Sequence, residues 1–277
     1  MNEPTHTIPL LAAWTLGKRE IVRFFRQRNR VIGAIGTPLL FWILFGAGLH
    51  GSFRLSTTGG VGQSFSEYYL PGSVLLIILF TAIFTTISVI EDRREGFLQA
   101  VLVAPISRWE MVLGKVWGGA CIALAQALIF LLLALLFSKA LHVLLILKLI
   151  PLLLLAAAAL TSLGFIFAWN MESTQGFHAI MNLVLMPMWM LSGAFFPAPR
   201  LDVESPWSQA AVHWAIRLNP LSYAVAGVRH IMFEQVDYAD CWIPSLGTAW
   251  IVTILFAVAT FTVACMVSGR RIPGDAL

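Results

Sequence analysis

Long apolar runs separated by short polar stretches dominate the chain, at approximately residues 31–50, 69–90, 112–137, 149–169, 179–197 and 245–267. Each comes close to the roughly 20 residues that an α-helix needs to cross a hydrocarbon layer about 30 Å thick. Apolar positions follow one another without the alternation of a membrane barrel, so helices are required, because backbone groups in lipid must pair within their own segment. The pattern predicts an all-α integral membrane fold. A bundle of six transmembrane helices occupies residues 31–277, and a segment of different character, residues 1–30, precedes it.

In that first segment Leu10, Trp14, Gly17, Ile21 and Phe25 fall on one face of a helix, while Arg19, Arg23, Arg26 and Arg30 share the opposite face. This describes an amphipathic helix in the cytoplasmic interface, or more plainly a basic anchor for the first span. The stretch from Glu91 to Arg108 is the only dense mixture of charges. Within it Phe97 and Val101, and Leu98 and Leu102, recur at helical spacing, so a short amphipathic helix is expected to end near Pro105. Such a helix either packs on its own bundle or docks a cytoplasmic partner. Between spans five and six, Ser205-Pro206 starts one short helix, and Asn219-Pro220 ends it and starts another running to Phe233. Both are too short to cross a bilayer, which makes them re-entrant or outer-surface helices.

Composition sharpens the picture. Hydrophobic residues make up 58% of the 277 positions and charged residues 12%, with a mean hydropathy of +0.82. That is about half the charge of an ordinary soluble domain. The net charge of +4 sits at the ends of apolar runs, which suits lipid headgroups and excludes a nucleic-acid groove. With the N-terminus inside, Lys18, Arg19, Arg23, Arg26, Arg28, Arg30, Arg93, Arg94, Arg108, Lys115, Arg270 and Arg271 face the cytoplasm. Arg54, Lys139, Lys148, Arg200, Arg217 and Arg229 face outward. That bias places both termini in the cytoplasm. About thirty polar and amphipathic residues precede the first long run, so no signal peptide is expected. Cys121, Cys241 and Cys265 form no ligand spacing and imply neither metal nor disulfide framework.

Candidate chemistry is sparse. Gln126, Asn170, Glu172, Gln175, His178 and Asn182 are the notable polar residues of the spans, and Glu172 with His178 reads as the polar end of a turn rather than an acid/base pair. Neither Gly17-Lys18 nor Gly114-Lys115 sits in a phosphate-binding loop, so the chain does not hydrolyse ATP through that motif. Nor do ionisable residues occupy the span centres, where a gradient-driven carrier would keep them. Energy borrowed from another chain is the better account, and a cytoplasmic docking surface is the feature to seek.

Three stretches, in order, carry a family resemblance. Glu91 to Gly96, then Ala104-Pro105-Ile106-Ser107-Arg108 and Leu113-Gly114-Lys115 form the first. Asn182-Leu183 with Pro187 and Leu191-Ser192-Gly193-Ala194-Phe195-Phe196-Pro197 form the second, and Leu218-Asn219-Pro220-Leu221-Ser222-Tyr223 with Arg229 the third. Together they resemble the ABC-2 family of ABC exporter permeases. The resemblance implies a transport subunit rather than an enzyme, paired with a second permease copy, most simply a homodimer, and with cytoplasmic ATP-binding subunits in the plasma (inner) membrane. It implies no cofactor on this chain, with ATP and Mg on the partner ATPase. Carried over by residue, the coupling segment is Glu91, Arg94, Glu95, Gly96, Pro105 and Arg108, supported by Arg19 and Arg23. Ser192, Gly193 and Ala194 are either a permease dimer contact or small residues ordinary to any span, and Asn219-Pro220 is a helix break at the outer surface. Family members export drugs, lipids or saccharides, and an amphipathic, lipid-like or drug-like cargo is expected here. The rival reading is a membrane-integral enzyme or an assembly scaffold.

Overall fold

The computed structural model describes residues 9–48, 64–136, 142–201, 205–233 and 241–270. In chain order these form α1 (Pro9–Arg26), α2 (Arg28–Gly48), α3 (Phe65–Arg94), α4 (Phe97–Val103), α5 (Arg108–Ala134) and α6 (Val143–Trp169). There follow α7 (Thr174–Trp189), a π-helical turn (Met190–Ala194), α8 (Trp207–Leu218), α9 (Pro220–Met232) and α10 (Leu246–Ser268). All six expected spans are present as α2, α3, α5, α6, α7 with its π turn, and α10, each long and apolar enough to cross a membrane. Arg54, Lys139 and Arg271 lie outside the described residues.

Local sequence sets the helix starts. Ser64 and Glu67 form a reciprocal capping box at the head of α3. Ser173 and Ser245 cap α7 and α10 by accepting from the N–H groups of Gly176 and Thr248 at 3.2 and 3.3 Å. Asn219 closes α8 and caps α9 by accepting from Leu221 N–H at 3.0 Å, with Pro220 at the first helical position. The predicted pair of short helices thus appears at the predicted break.

α3 is the central helix and packs on α2, α5 and α6. Its 30 residues run past the apolar stretch and carry Glu91, Asp92, Arg93 and Arg94 in helical geometry, beyond the expected end of span two near residue 90. The helix continues because these charges meet partners on neighbouring helices, as set out below. α9 folds back against α6, α10 and the π turn, with Leu221, Ala224, Val225 and Val228 buried, whereas α8 buries only His213 and Ile216.

α1 packs lengthwise along α5, and glycines permit it. A Cβ on Gly114 would stand 2.7 Å from the carbonyl oxygen of Ala13, and one on Gly118 would stand 2.8 Å from that of Gly17. Backbone therefore meets backbone, the close approach that a small-xxx-small spacing allows. Farther along, Phe24 and Ile122 line the same small cavity. The anticipated apolar stripe of α1 divides, with Leu10 at 66%, Trp14 at 60% and Phe25 at 44% exposure facing away from the bundle and Gly17 buried against α5. Arg19 and Arg23, expected on the opposite face, turn inward onto carboxylates. The helix breaks at Gln27, so Arg30 belongs to α2.

One further expectation changes. Span five is not one continuous helix, because Leu191 and Gly193 are non-helical, the latter at φ 72°. Beside the break Trp189 is buried, and its indole N–H donates to the carbonyl of Gly72 at 2.8 Å.

Gly118→Leu is expected to unseat α1 at a cost of about 1–3 kcal/mol or more. Gly36→Leu is its control, since a Cβ there meets nothing within 4 Å. Thermal unfolding followed by size-exclusion of the solubilised protein should separate the two, with the midpoint falling only for Gly118→Leu.

Candidate functional site

Four charged residues close α3, and with about 3.6 residues per turn they leave the helix in different directions. Asp92, 0% exposed, turns toward α1 and α5. It accepts two hydrogen bonds from Arg19, Nη1 to Oδ2 at 3.0 Å and Nη2 to Oδ1 at 2.7 Å, and also pairs with Arg23 and Lys115. Lys115, itself buried, extends the array to Glu20 Oε1 at 2.6 Å and Ser88 Oγ at 3.3 Å. Glu91 faces the α1–α2 junction, where Arg23 Nη2 donates to it at 3.0 Å and Arg30 pairs with it. Glu95 takes another bond from Arg23 at 3.1 Å.

The result is a hub of four cations (Arg19, Arg23, Arg30, Lys115) and four carboxylates (Glu20, Glu91, Asp92, Glu95) contributed by α1, α2, α3, α5 and the residue capping α3. Desolvating each such charge costs several kcal/mol, and only this density of partners offsets it. Burial by itself lowers the pKa of Arg19, but the hydrogen bond and charge of Asp92, with Glu20 and Glu95, outweigh it and hold the guanidinium above its ordinary value.

Three further arginines of this end bind backbone carbonyls. Arg93 donates to the carbonyls of Trp169 at 2.6 Å and Met171 at 3.2 Å, and lies over the Trp169 ring. Arg94 binds the carbonyl of Glu172 twice, from Nε at 3.1 Å and Nη2 at 2.7 Å. Arg108 Nη1 donates to Ser268 O at 3.3 Å, at the C-terminus of α10. Cations at helix C-termini also match the helix dipole.

Gly96, at φ 76°, turns the chain from α3 into α4, a left-handed conformation that only glycine takes without strain. The Arg19 guanidinium sits 3.7 Å from the centroid of the Phe97 ring, which ties α4 to α1. Leu98 and Val101 are buried, while Glu95, Gln99, Ala100, Val103 and Pro105 are exposed. α4 therefore packs on its own bundle by one face and presents the other outward.

At the far end the broken span is stitched together by side chains. Tyr68 donates to the carbonyl of Gly193 at 2.9 Å, and Arg229 Nη2 donates to the same oxygen at 3.0 Å while stacking 4.2 Å from the Tyr68 ring. The Asn219 amide donates to Met188 O and, at 2.9 Å, to Leu191 O. Ser192, Gly193 and Ala194 are buried inside the chain, and the close neighbour they admit is α3 of the same chain, since a Cβ on Gly72 would stand 2.6 Å from Ala194 Cβ.

Of the sequence-derived coupling residues, Arg19, Arg23, Glu91 and Glu95 meet at the hub, and Gly96 follows it as the turn into α4. Arg94 and Arg108 instead grip the α6–α7 turn and α10, and Pro105 follows α4 at the surface. Glu172 engages only through its backbone carbonyl, among the described residues, and His178 lies beside Phe84. Sequence reasoning missed Asp92, Glu20, Lys115 and Arg30 as members of one cluster. A signal was present, since Ser88 and Asp92 lie four residues apart on α3, and Glu20 is the lone acid among the arginines of α1.

Asp92→Asn and Lys115→Met are each expected to cost about 3–5 kcal/mol, because each strands a buried partner. The double variant should cost clearly less than their sum. A double-mutant cycle on unfolding in detergent measures this, and simple additivity would argue that the two side chains do not interact.

The family of the ABC-2 type transporter matches residues 12–233 of the chain. The transport permease ycf38 of Porphyra purpurea is 29% identical over 230 residues, covering 80% of this chain and 74% of that protein. Nodulation protein J of Rhizobium leguminosarum bv. trifolii is 30% identical over 206 residues, 73% of each chain. A second ycf38 permease, from Cyanophora paradoxa, is 25% identical over 263 residues, 90% of this chain and 86% of that one.

Proposed function

The chain belongs to the ABC-2 type transporter family, and from that premise we propose that it is the permease of an ATP-driven exporter whose ATPase is a separate cytoplasmic subunit. The observation that carries this reading is the hub. It joins α1, α2, α3 and α5 at the end of the bundle where α4 shows an exposed face. A partner that pushes on α4 or on Glu95 pushes on all four helices at once, because Arg19 links Phe97 to Asp92 and Arg23 links Glu95 to Asp92 and Glu91. Packed elements joined this way move as a body rather than deform. In this reading the hub end and both termini are cytoplasmic, the membrane is the inner membrane, and ATP with Mg resides on the partner.

Conformational change then passes to the remaining spans through Arg93 and Arg94 on the α6–α7 turn and Arg108 on α10. A second permease copy, most simply an identical one, completes the conduit. An amphipathic, lipid-like or drug-like cargo moving from the cytoplasm or inner leaflet fits better than a broad saccharide. Trp169 and Trp189 are buried within the chain and offer no ring to a sugar, and the exposed Trp207 and Trp214 lie on α8, outside the spans.

The far end argues against a gradient-driven carrier. Where such carriers break a span, the freed carbonyls hold the coupling ion. Here the carbonyls of Gly193 and Leu191 are taken by Tyr68, Arg229 and Asn219, donors that are covalently attached and cannot dissociate.

Two experiments test the proposal. Glu95→Arg places a cation beside Arg23, and Gly96→Pro forces φ near −65° on a residue that stands at +76°. Each is expected to lower co-purification of the ATPase by about tenfold or more, while Gln99→Ala leaves it near wild type. Undiminished co-purification would remove α3–α4 from the docking surface. In liposomes holding both subunits, cargo movement should require ATP and persist when proton and sodium gradients are collapsed. Uphill movement by the permease alone on either gradient would overturn the reading.

A further inference from the structure

The balanced hub leaves a surplus. Each of its four cations is matched by a carboxylate, yet Lys18, Arg26 and Arg28 are exposed and form no ion pair among the described residues. They are not scattered. Thr15, Lys18, Val22 and Arg26 recur at intervals of three, four and four along α1, so they share one face of the helix. With Arg19, Arg23, Gln27 and Glu95 they line an open groove of 740 Å³, and the Glu95 carboxylate in it is already engaged by Arg23. Arg28 follows immediately at the start of α2.

What borders this groove identifies its occupant. Leu11 is 57% exposed, Trp14 60%, Val22 43% and Phe25 44%, so large apolar side chains alternate with the free cations on the outward side of α1. Cytosol would leave that apolar surface wet, and bare hydrocarbon would strand the cations. The boundary between acyl chains and headgroups satisfies both. The packing puts α1 at that depth, because it lies against Gly114 and Gly118, a short way along α5 from the charged end that begins at Arg108. A tryptophan at such a boundary is the ordinary anchor of an interfacial helix.

We infer that the groove on α1 is a binding site for the phosphodiester headgroup of an anionic phospholipid, held by Lys18 and Arg26 from the groove wall and by Arg28 beside it at the start of α2, with the acyl chains lying along Trp14, Val22 and Phe25. The flexible stems of lysine and arginine cover apolar surface while their heads reach the phosphate. Arg19 and Arg23 edge the groove but are committed to Asp92, so they shape it without supplying its net charge. The site stands whether or not the exporter reading holds, because it depends only on the geometry of α1 and on a bilayer around the chain. Bound lipid would hold α1 down on the membrane from outside while the hub holds it from inside.

The test uses the permease with its ATPase in nanodiscs that mix phosphatidylglycerol and phosphatidylcholine, with retained lipid read by native mass spectrometry. Wild type is expected to retain phosphatidylglycerol selectively. The triple variant Lys18→Gln, Arg26→Gln, Arg28→Gln should lose that selectivity by about tenfold or more, and Lys18→Arg, Arg26→Lys, Arg28→Lys should keep it. All three positions are exposed and outside the hub, so folding is checked simply by an unchanged unfolding midpoint. Trp14→Ser should weaken retention without changing headgroup preference. Undiminished selectivity in the triple Gln variant overturns the proposal. So does displacement of the lipid by millimolar inorganic phosphate, which would mark a site for free phosphate. Loss of the ATPase from the triple variant with lipid retention unchanged would also overturn it, assigning the cations to the protein partner.

Discussion

A carboxylate with no exposed surface, Asp92 at the end of the central helix, sets the terms for one whole end of this bundle. An isolated charge there would be prohibitively desolvated, so three cations from two other helices must converge on it. Their convergence fixes where α1 lies and how deep Lys115 sits. Glu20 completes the requirement, because Lys115 would otherwise carry more positive charge than Asp92 alone can satisfy while also serving two arginines. Glycines at 114 and 118 are the steric counterpart of the same constraint. Without backbone-to-backbone contact between α1 and α5, the side chains of Glu20 and Lys115 would not meet at hydrogen-bond distance.

The two ends solve different problems with similar means. At the charged end, side-chain ions join helices that are each intact, and arginines cap the carbonyls at the ends of α6 and α10. At the far end the defect is inside a helix. The π turn frees carbonyls at the end of span five, and Tyr68, Asn219 and Arg229 satisfy them from α3, the α8–α9 corner and the last turn of α9. Between the two, the packing is apolar and close, with α3 buried among its neighbours over most of its length. Rigid ends on a tightly packed middle suit a bundle that shifts as a body.

Legibility in the sequence follows from the strength of each periodic signal. The spans are long, continuous apolar runs, so their number and order could be read directly, and Asn219-Pro220 marked its break because proline cannot accept an ordinary helix position there. The hub was half legible. Ending span two near residue 90 kept the composition of residues 91–96 but discarded direction, and direction is what separates Asp92, turned inward, from Glu91 and Glu95, which face Arg30 and Arg23. Only the knowledge that α3 stays helical to Arg94 restores it. Ser192-Gly193-Ala194 shows the opposite limit. Small residues announce a close approach but not to which helix, and here the neighbour is α3 of the same chain. The π turn itself has no periodic signature, since a run of five residues leaves hydropathy unchanged.

The seat of α1 on α5 also bears on how the chain is made. Ala13 and Gly114 touch across about a hundred residues of sequence, so α1 waits through three other helices before its site exists. Glu20 and Asp92, by contrast, are both synthesised before Lys115. The buried lysine therefore enters the bilayer last and finds its counter-charges already in place, an order of birth that spares the nascent protein a stranded cation.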